Sequence, residues 1–129
     1  MVIGVGTDLV EIRRMEKSLE SPAFWRRVFG PAERAFLEAR PKARRAASAA
    51  ANFAAKEAFL KAAGKGLGGF ALAEIQILRG EGGAPYYLLS GGAAAWAAER
   101  GAEVRLSLAH EGGLALAFAV AETLAGSQT

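Results

Sequence analysis

The strongest constraint on this chain is the run at residues 42–63. Half of it is alanine, with Phe53, Phe59 and Leu60 spaced along it, and it is bracketed by Pro41 and Gly64. Alanine has the highest helix propensity, a proline suits a helix start, and a glycine suits its end, so the run reads as the longest helix of the fold. The other elements arrange themselves around it. Residues 2–10 mix β-branched residues with glycines and read as a buried first strand ending near Asp8. Residues 11–19 are helix-compatible. Ser21-Pro22 opens a helix carrying Phe24, Trp25, Val28 and Phe29, and residues 31–40 form another with Phe36 and Leu37. After a mobile glycine-rich loop at 64–69 come a strand at 74–78, a turn at 81–85 and a returning strand at 86–89. A helix at 92–100 containing Trp96 follows. Two last strands, 103–108 and 114–122, are joined by His110-Glu-Gly-Gly113. The order β, helices, ββ, α, ββ defines an α+β class, one domain over residues 1–129 with 126–129 as a frayed tail.

Composition removes several kinds of chemistry. The chain has 129 residues, no cysteine and one histidine, His110. Disulfides, thiolate nucleophiles and Cys-built metal sites are therefore excluded, and a two-His metal site within one chain is impossible. A bound metal would be held by carboxylates and phosphates, which points to magnesium or manganese. The formal net charge is +3 with a pI near 9.6. Arg13-Arg14, Arg26-Arg27 and Arg44-Arg45 are adjacent basic pairs that suit anionic partners. There is no aromatic interleaving of the kind that stacks nucleic acid, and no apolar stretch of spanning length, so the chain reads as cytoplasmic, with no nucleic-acid or membrane partner.

Read on its own residues, Glu57 lies within an apolar helical stripe, with Phe53, Leu60 and Lys61 as neighbours. It is either a surface partner of Lys61 or a carboxylate that needs a metal cation. Asp8 follows Gly4-Val-Gly6, a segment that admits a ligand or another backbone; it is either a helix cap or the second carboxylate of a magnesium site. The 64–69 loop is not a nucleotide-binding P-loop, since it follows its helix rather than preceding one. It reads as a Schellman cap with Lys65 placed for an exposed anion contact. His110 is a structural residue, a phosphate ligand or a proton carrier.

Three stretches taken in order carry a resemblance: Gly4-Val-Gly-Thr-Asp-Leu-Val-Glu-Ile12, Phe53-Ala-Ala-Lys-Glu-Ala-Phe-Leu-Lys-Ala-Ala-Gly64, and Ser107-Leu-Ala-His110. They resemble the holo-acyl-carrier-protein synthases, small bacterial 4′-phosphopantetheinyl transferases. The resemblance implies an enzyme that moves phosphopantetheine from coenzyme A to a serine of apo acyl carrier protein in support of fatty acid biosynthesis. Adenosine 3′,5′-bisphosphate is released. It implies Asp8 and Glu57 as ligands of Mg²⁺ (or Mn²⁺) and Lys61 as a phosphate contact, with these three as the catalytic group. It further implies Lys65, Gly66, Ser107, His110, Arg44 and Arg45 along coenzyme A, Arg14 facing the acidic carrier, and a homotrimer whose sites lie at subunit interfaces. Either Glu57 or a water on the metal would accept the serine proton.

The chain departs from this pattern at three places. Asn52 stands where the family often has arginine, Ala84 where a lysine is usual, and Glu111 where a small polar residue or Asp is common. Two other classes remain to be weighed against the transferase: a catalytically idle coenzyme A-binding module and a basic nucleic-acid-binding domain.

Overall fold

The structure, a computed structural model, describes residues 1–66 and 68–124. Leu67 and the predicted frayed tail at 126–129 lie outside the described residues. The elements follow the predicted order: β1 (Val2–Glu11), α1 (Ile12–Ser18), α2 (Pro22–Val28), α3 (Pro31–Ala39), α4 (Lys42–Ala62), β2 (Ile75–Arg79), β3 (Pro85–Leu89), α5 (Gly91–Arg100), β4 (Ala102–Glu111) and β5 (Leu114–Thr123). One antiparallel sheet has the order β1-β5-β4, and β2 and β3 form a second antiparallel pair. No helix among the described residues is long and apolar enough to cross a membrane.

Alanine decides how α4 meets the larger sheet. The inward positions of β5 are Ala115, Ala117, Ala119 and Ala121, all fully buried, and α4 buries Ala50, Ala54, Ala55 and Ala58. The strand β1 comes closer still. A Cβ added at Gly4 would collide with the carbonyl oxygen of Ala62, and one at Gly6 with that of Ala58. The Gly-Val-Gly segment thus makes room for another backbone, which is the helix itself. Larger side chains fill the far side of α4: the Phe59 ring packs edge-on to Tyr87 at 5.1 Å and to Trp96 at 5.8 Å. The Tyr87 hydroxyl donates to the Ala55 carbonyl at 2.6 Å, so its polar end is satisfied inside that cluster.

Local signals act as read. Ser21 Oγ accepts from the Phe24 backbone N–H at 3.2 Å, with Pro22 opening α2. At the end of α4, Gly64 adopts φ 73°. There Lys65 N donates to Leu60 O at 2.8 Å and Gly64 N to Lys61 O at 3.1 Å, the paired bonds of a Schellman cap.

Three expectations need correction. The strand β1 is not buried throughout: only Gly6 is fully covered, while Val5 and Leu9 are more than half exposed. It is an edge strand with one face toward α4 and the other open. Nor does it end near Asp8. It runs to Glu11, because pairing with β5 continues from Asp8 opposite Ala117 to Glu11 opposite Leu114. Asp8 is accordingly no helix cap; Glu11 precedes α1 and makes no side-chain cap bond. His110 and Glu111 belong to β4 rather than to the connection, because the turn needs only Gly112 and Gly113 and Glu111 still pairs with Leu114.

Candidate active site

Side chains alternate along a strand. Gly4 and Gly6 face α4, so the next position on that face is Asp8, and the close approach carries it to Glu57 and Lys61. Lys61 Nζ donates to the Thr7 carbonyl at 2.7 Å and to Asp8 Oδ1 at 3.4 Å. The lysine side chain is 56% exposed and that of Asp8 22%, so this ion pair is loose and solvent-screened. Lys61 can swing to an incoming anion at small cost. Glu57 is half-buried. Burial raises its pKa above the ordinary carboxylate value, the neighbouring negative charge of Asp8 raises it further, and Lys61 partly offsets both.

Both carboxylates line a cavity of about 340 Å³ together with Arg14, Ser18, Phe24 and Phe53. Asp8, Glu57 and Glu11 outnumber Arg14 and the solvent-screened Lys61 around this cavity, so the donor set is short of positive charge and fits a hard divalent cation. Among the described residues no cluster of three or more acidic or histidine side chains could enclose a metal. The protein offers two carboxylates, and phosphate and water oxygens would complete the shell.

His110 and Arg44 are brought together elsewhere. They line a second cavity of about 570 Å³ with Arg40, Ser48 and Arg79, and it shares no lining residue with the first. Both cavities lie on the α4 side of the sheet, one at its β1 edge and the other at its β4 edge, with the alanine-covered β5 between them. Ser107 does not join His110, since it is exposed on the opposite face of β4. Arg45 joins neither cavity. Its guanidinium donates to the carbonyls of Leu37, Glu38 and Arg40 at 3.0–3.1 Å, closing the C-terminal end of α3. Lys65 is exposed with its ammonium 5.8 Å from the Phe70 ring, and Gly66 is open to solvent with nothing near its absent side chain.

Sequence reasoning missed the residues that hold these elements in place. Glu33 is fully buried at the start of α3. It accepts from Lys56 Nζ at 2.6 Å, Asn52 Nδ2 at 2.9 Å and the Ile77 backbone N–H at 3.3 Å, while Gln76 Oε1 accepts from the Glu33 backbone N–H at 3.0 Å. Burial pushes the Glu33 carboxyl up and the Lys56 amine down, against their mutual attraction. The available signal was Glu33 at the third position of a helix opened by Gly30-Pro31. That pattern announces a capping acid, and Glu33 does also accept from the Gly30 N–H at 3.2 Å. Nothing in it announces a buried counter-ion.

A glycine-backed strand lays one carboxylate against a second on an alanine-rich helix, an α+β arrangement suited to phosphate-ester chemistry. The family model for the 4′-phosphopantetheinyl transferase superfamily matches residues 4–119, and the chain belongs to that family. The relatives it resembles are holo-[acyl-carrier-protein] synthases, so the chain is a transferase of that kind. The protein of Desulforudis audaxviator is 45% identical over 126 residues, covering 94% of this chain and 93% of the relative. Among solved structures, the holo-[acyl-carrier-protein] synthase of Neisseria meningitidis superposes with a TM-score of 0.86 at 34% identity, covering 95% of this chain and 100% of that one. That of Bacillus anthracis, solved in complex with CoA (3′,5′-ADP), gives 0.82 at 30% identity, covering 96% and 99%.

Proposed function

We propose that this protein transfers 4′-phosphopantetheine from coenzyme A to a serine of apo acyl carrier protein in a magnesium-dependent reaction. The products are holo carrier and adenosine 3′,5′-bisphosphate. The observation that carries the reading is the meeting of Asp8 and Glu57 beside Lys61, in a cavity that also presents Arg14. The reaction suits a site without a nucleophile of its own, because the serine comes from the carrier. The enzyme's work is positioning and charge neutralisation on a diphosphate. Magnesium held by Asp8 and Glu57 would supply Lewis-acid neutralisation of the diphosphate oxygens. Lys61, tethered only loosely, turns its ammonium to the leaving phosphate. Arg14, on exposed α1 at the rim of the same cavity, meets the acidic carrier.

The assembly is read as a homotrimer with sites completed across subunits. Two observations support it. The outer face of the β1-β5-β4 sheet exposes Val5, Leu9, Leu114, Leu116 and Phe118, a contiguous apolar surface that a lone soluble chain rarely leaves open. In addition, His110 and the carboxylate pair occupy separate cavities of one chain, so a coenzyme A spanning both kinds of group would draw them from two subunits. The role is cytoplasmic, supplying holo carrier for fatty acid synthesis.

Intact-mass analysis tests the reading. Apo carrier incubated with this protein, coenzyme A and Mg²⁺ gains the mass of phosphopantetheine, and a chelator or the Asp8→Ala or Glu57→Ala variant prevents the gain while the variants remain folded. A chain that binds coenzyme A and leaves the carrier mass unchanged would be the idle binding module instead.

A further inference from the structure

The second cavity holds a cation that neither the motifs nor the resemblance assigns. Arg79 reaches it from the end of β2. Its guanidinium lies against the Phe36 ring, 5.0 Å from the centroid, and its Nη2 donates to Asn52 Oδ1 at 2.8 Å. Its other terminal nitrogen, Nη1, is buried with no hydrogen-bond partner. A buried guanidinium N–H without an acceptor is costly, and native structures seldom keep one unless something else supplies the acceptor. No acidic side chain is among the described residues lining the cavity, whereas Arg40, Arg44 and His110 are. Arg40 is itself fixed, with its guanidinium 5.3 Å from the same Phe36 ring and its Nε donating to Ser48 Oγ at 3.1 Å. Glu33, on the far side of Asn52, offsets part of the Arg79 charge, but two like charges on one ring with no carboxylate lining the cavity form a receptor for a compact anion of high charge.

Asn52 explains why the cation arrives from β2. Its amide nitrogen donates to Glu33 Oε2 at 2.9 Å and to the Ile77 carbonyl at 3.1 Å, which turns its oxygen toward Arg79. Position 52 therefore brings no charge of its own, and holds one in place instead.

We propose that Arg79 is a specificity-determining residue that reads the 3′-phosphate of coenzyme A, supplying from β2 the positive charge that α4 lacks at Asn52. The proposal rests on the transferase reading above. The carboxylate pair and Lys61 provide for the diphosphate, and the one phosphate left on coenzyme A is the 3′-monoester, which is dianionic near neutral pH and fits a forked donor.

The test compares ligands with and without that phosphate on the variants Arg79→Met and Arg79→Lys. Calorimetric binding of adenosine 3′,5′-bisphosphate weakens by about tenfold or more in Arg79→Met, whereas binding of adenosine 5′-monophosphate changes by less than about twofold. Arg79→Lys, keeping the charge and losing the fork, falls between. The transfer assay with coenzyme A against 3′-dephospho-coenzyme A shows the same split in KM. Because each variant is compared with itself across two ligands, a loss of folding lowers both affinities together and is not mistaken for the effect. A variant with an intact thermal melt that keeps the wild-type preference for the 3′-phosphorylated ligand, or loses both ligands equally, overturns the proposal. Failure of the wild-type protein to modify apo carrier from coenzyme A overturns the transferase reading itself, whatever Arg79 does.

Discussion

Lys56 Nζ lies 2.6 Å from Glu33 Oε1 where solvent reaches neither side chain. The next residue, Glu57, leaves the helix on a different side, about 100° around the axis at 3.6 residues per turn. Anchoring Lys56 to α3 and β2 therefore fixes the rotation of α4, and with it the direction in which Glu57 meets Asp8.

Removing one member of that pair exposes its cost. Lys56→Met leaves the Glu33 carboxylate buried without a cation, an arrangement that loses about 3–5 kcal/mol. The double variant Glu33→Leu, Lys56→Met recovers a large part of the loss, because no charge is then stranded. Urea unfolding of the two single variants and the double variant gives the coupling energy directly.

The glycine contact between β1 and α4 predicts a sharp positional contrast. Gly6→Ala forces the strand off the Ala58 carbonyl, costs about 1–3 kcal/mol and displaces Asp8 from Glu57, so transfer activity falls more than stability alone explains. Gly66→Ala, with nothing near the added methyl, changes stability by less than about 0.5 kcal/mol. Thermal melts and single-turnover transfer on the two variants separate these effects.

The raised pKa of Glu57 carries a sign. A folded chain that holds this proton more tightly than the unfolded one is favoured below the ordinary carboxylate range, and loses that contribution as pH rises through the raised value. At neutral pH the ionised group repels Asp8. Glu57→Gln therefore stabilises the protein in chelator, by under about 1 kcal/mol because the group is half solvated. Added Mg²⁺ reverses the order by stabilising only the parent protein. Melting curves at pH 7 with EDTA and with Mg²⁺ check both halves.

A charge on the open face of the sheet should break self-association. Phe118→Arg places a guanidinium among Val5, Val120 and Leu116, leaves the α4 side untouched, and yields single chains by light scattering where the parent protein gives a larger mass. Its transfer activity falls accordingly.

What could be read beforehand followed physical locality. The alanine run, the Ser21-Pro22 start and the Gly64 cap depend on neighbours in sequence, and the structure keeps all three. Residue chemistry offered Asp8 and Glu57 as a metal pair beside blander readings, and only the resemblance chose between them, because strand-on-helix contact is set by Gly4 and Gly6 meeting carbonyls that no local pattern announces. Glu33 and Arg79 were illegible for a related reason: each looks like an ordinary surface charge until α3 and β2 close on α4. The burial of β1 was over-read, since apolar residues on alternate positions look the same whether a core or another copy of the chain covers them.

The methyl-lined seam between α4 and β5 has a consequence for how this protein can change over time. With Ala115, Ala117, Ala119 and Ala121 fully buried beneath α4, growth at any one of them would press the sheet away from the helix. Substitutions there are confined to residues of the smallest volume. Diversification among descendants of this chain must therefore run through its rims and loops, where new carriers can be recognised without disturbing the spacing between backbone layers on which the carboxylates depend.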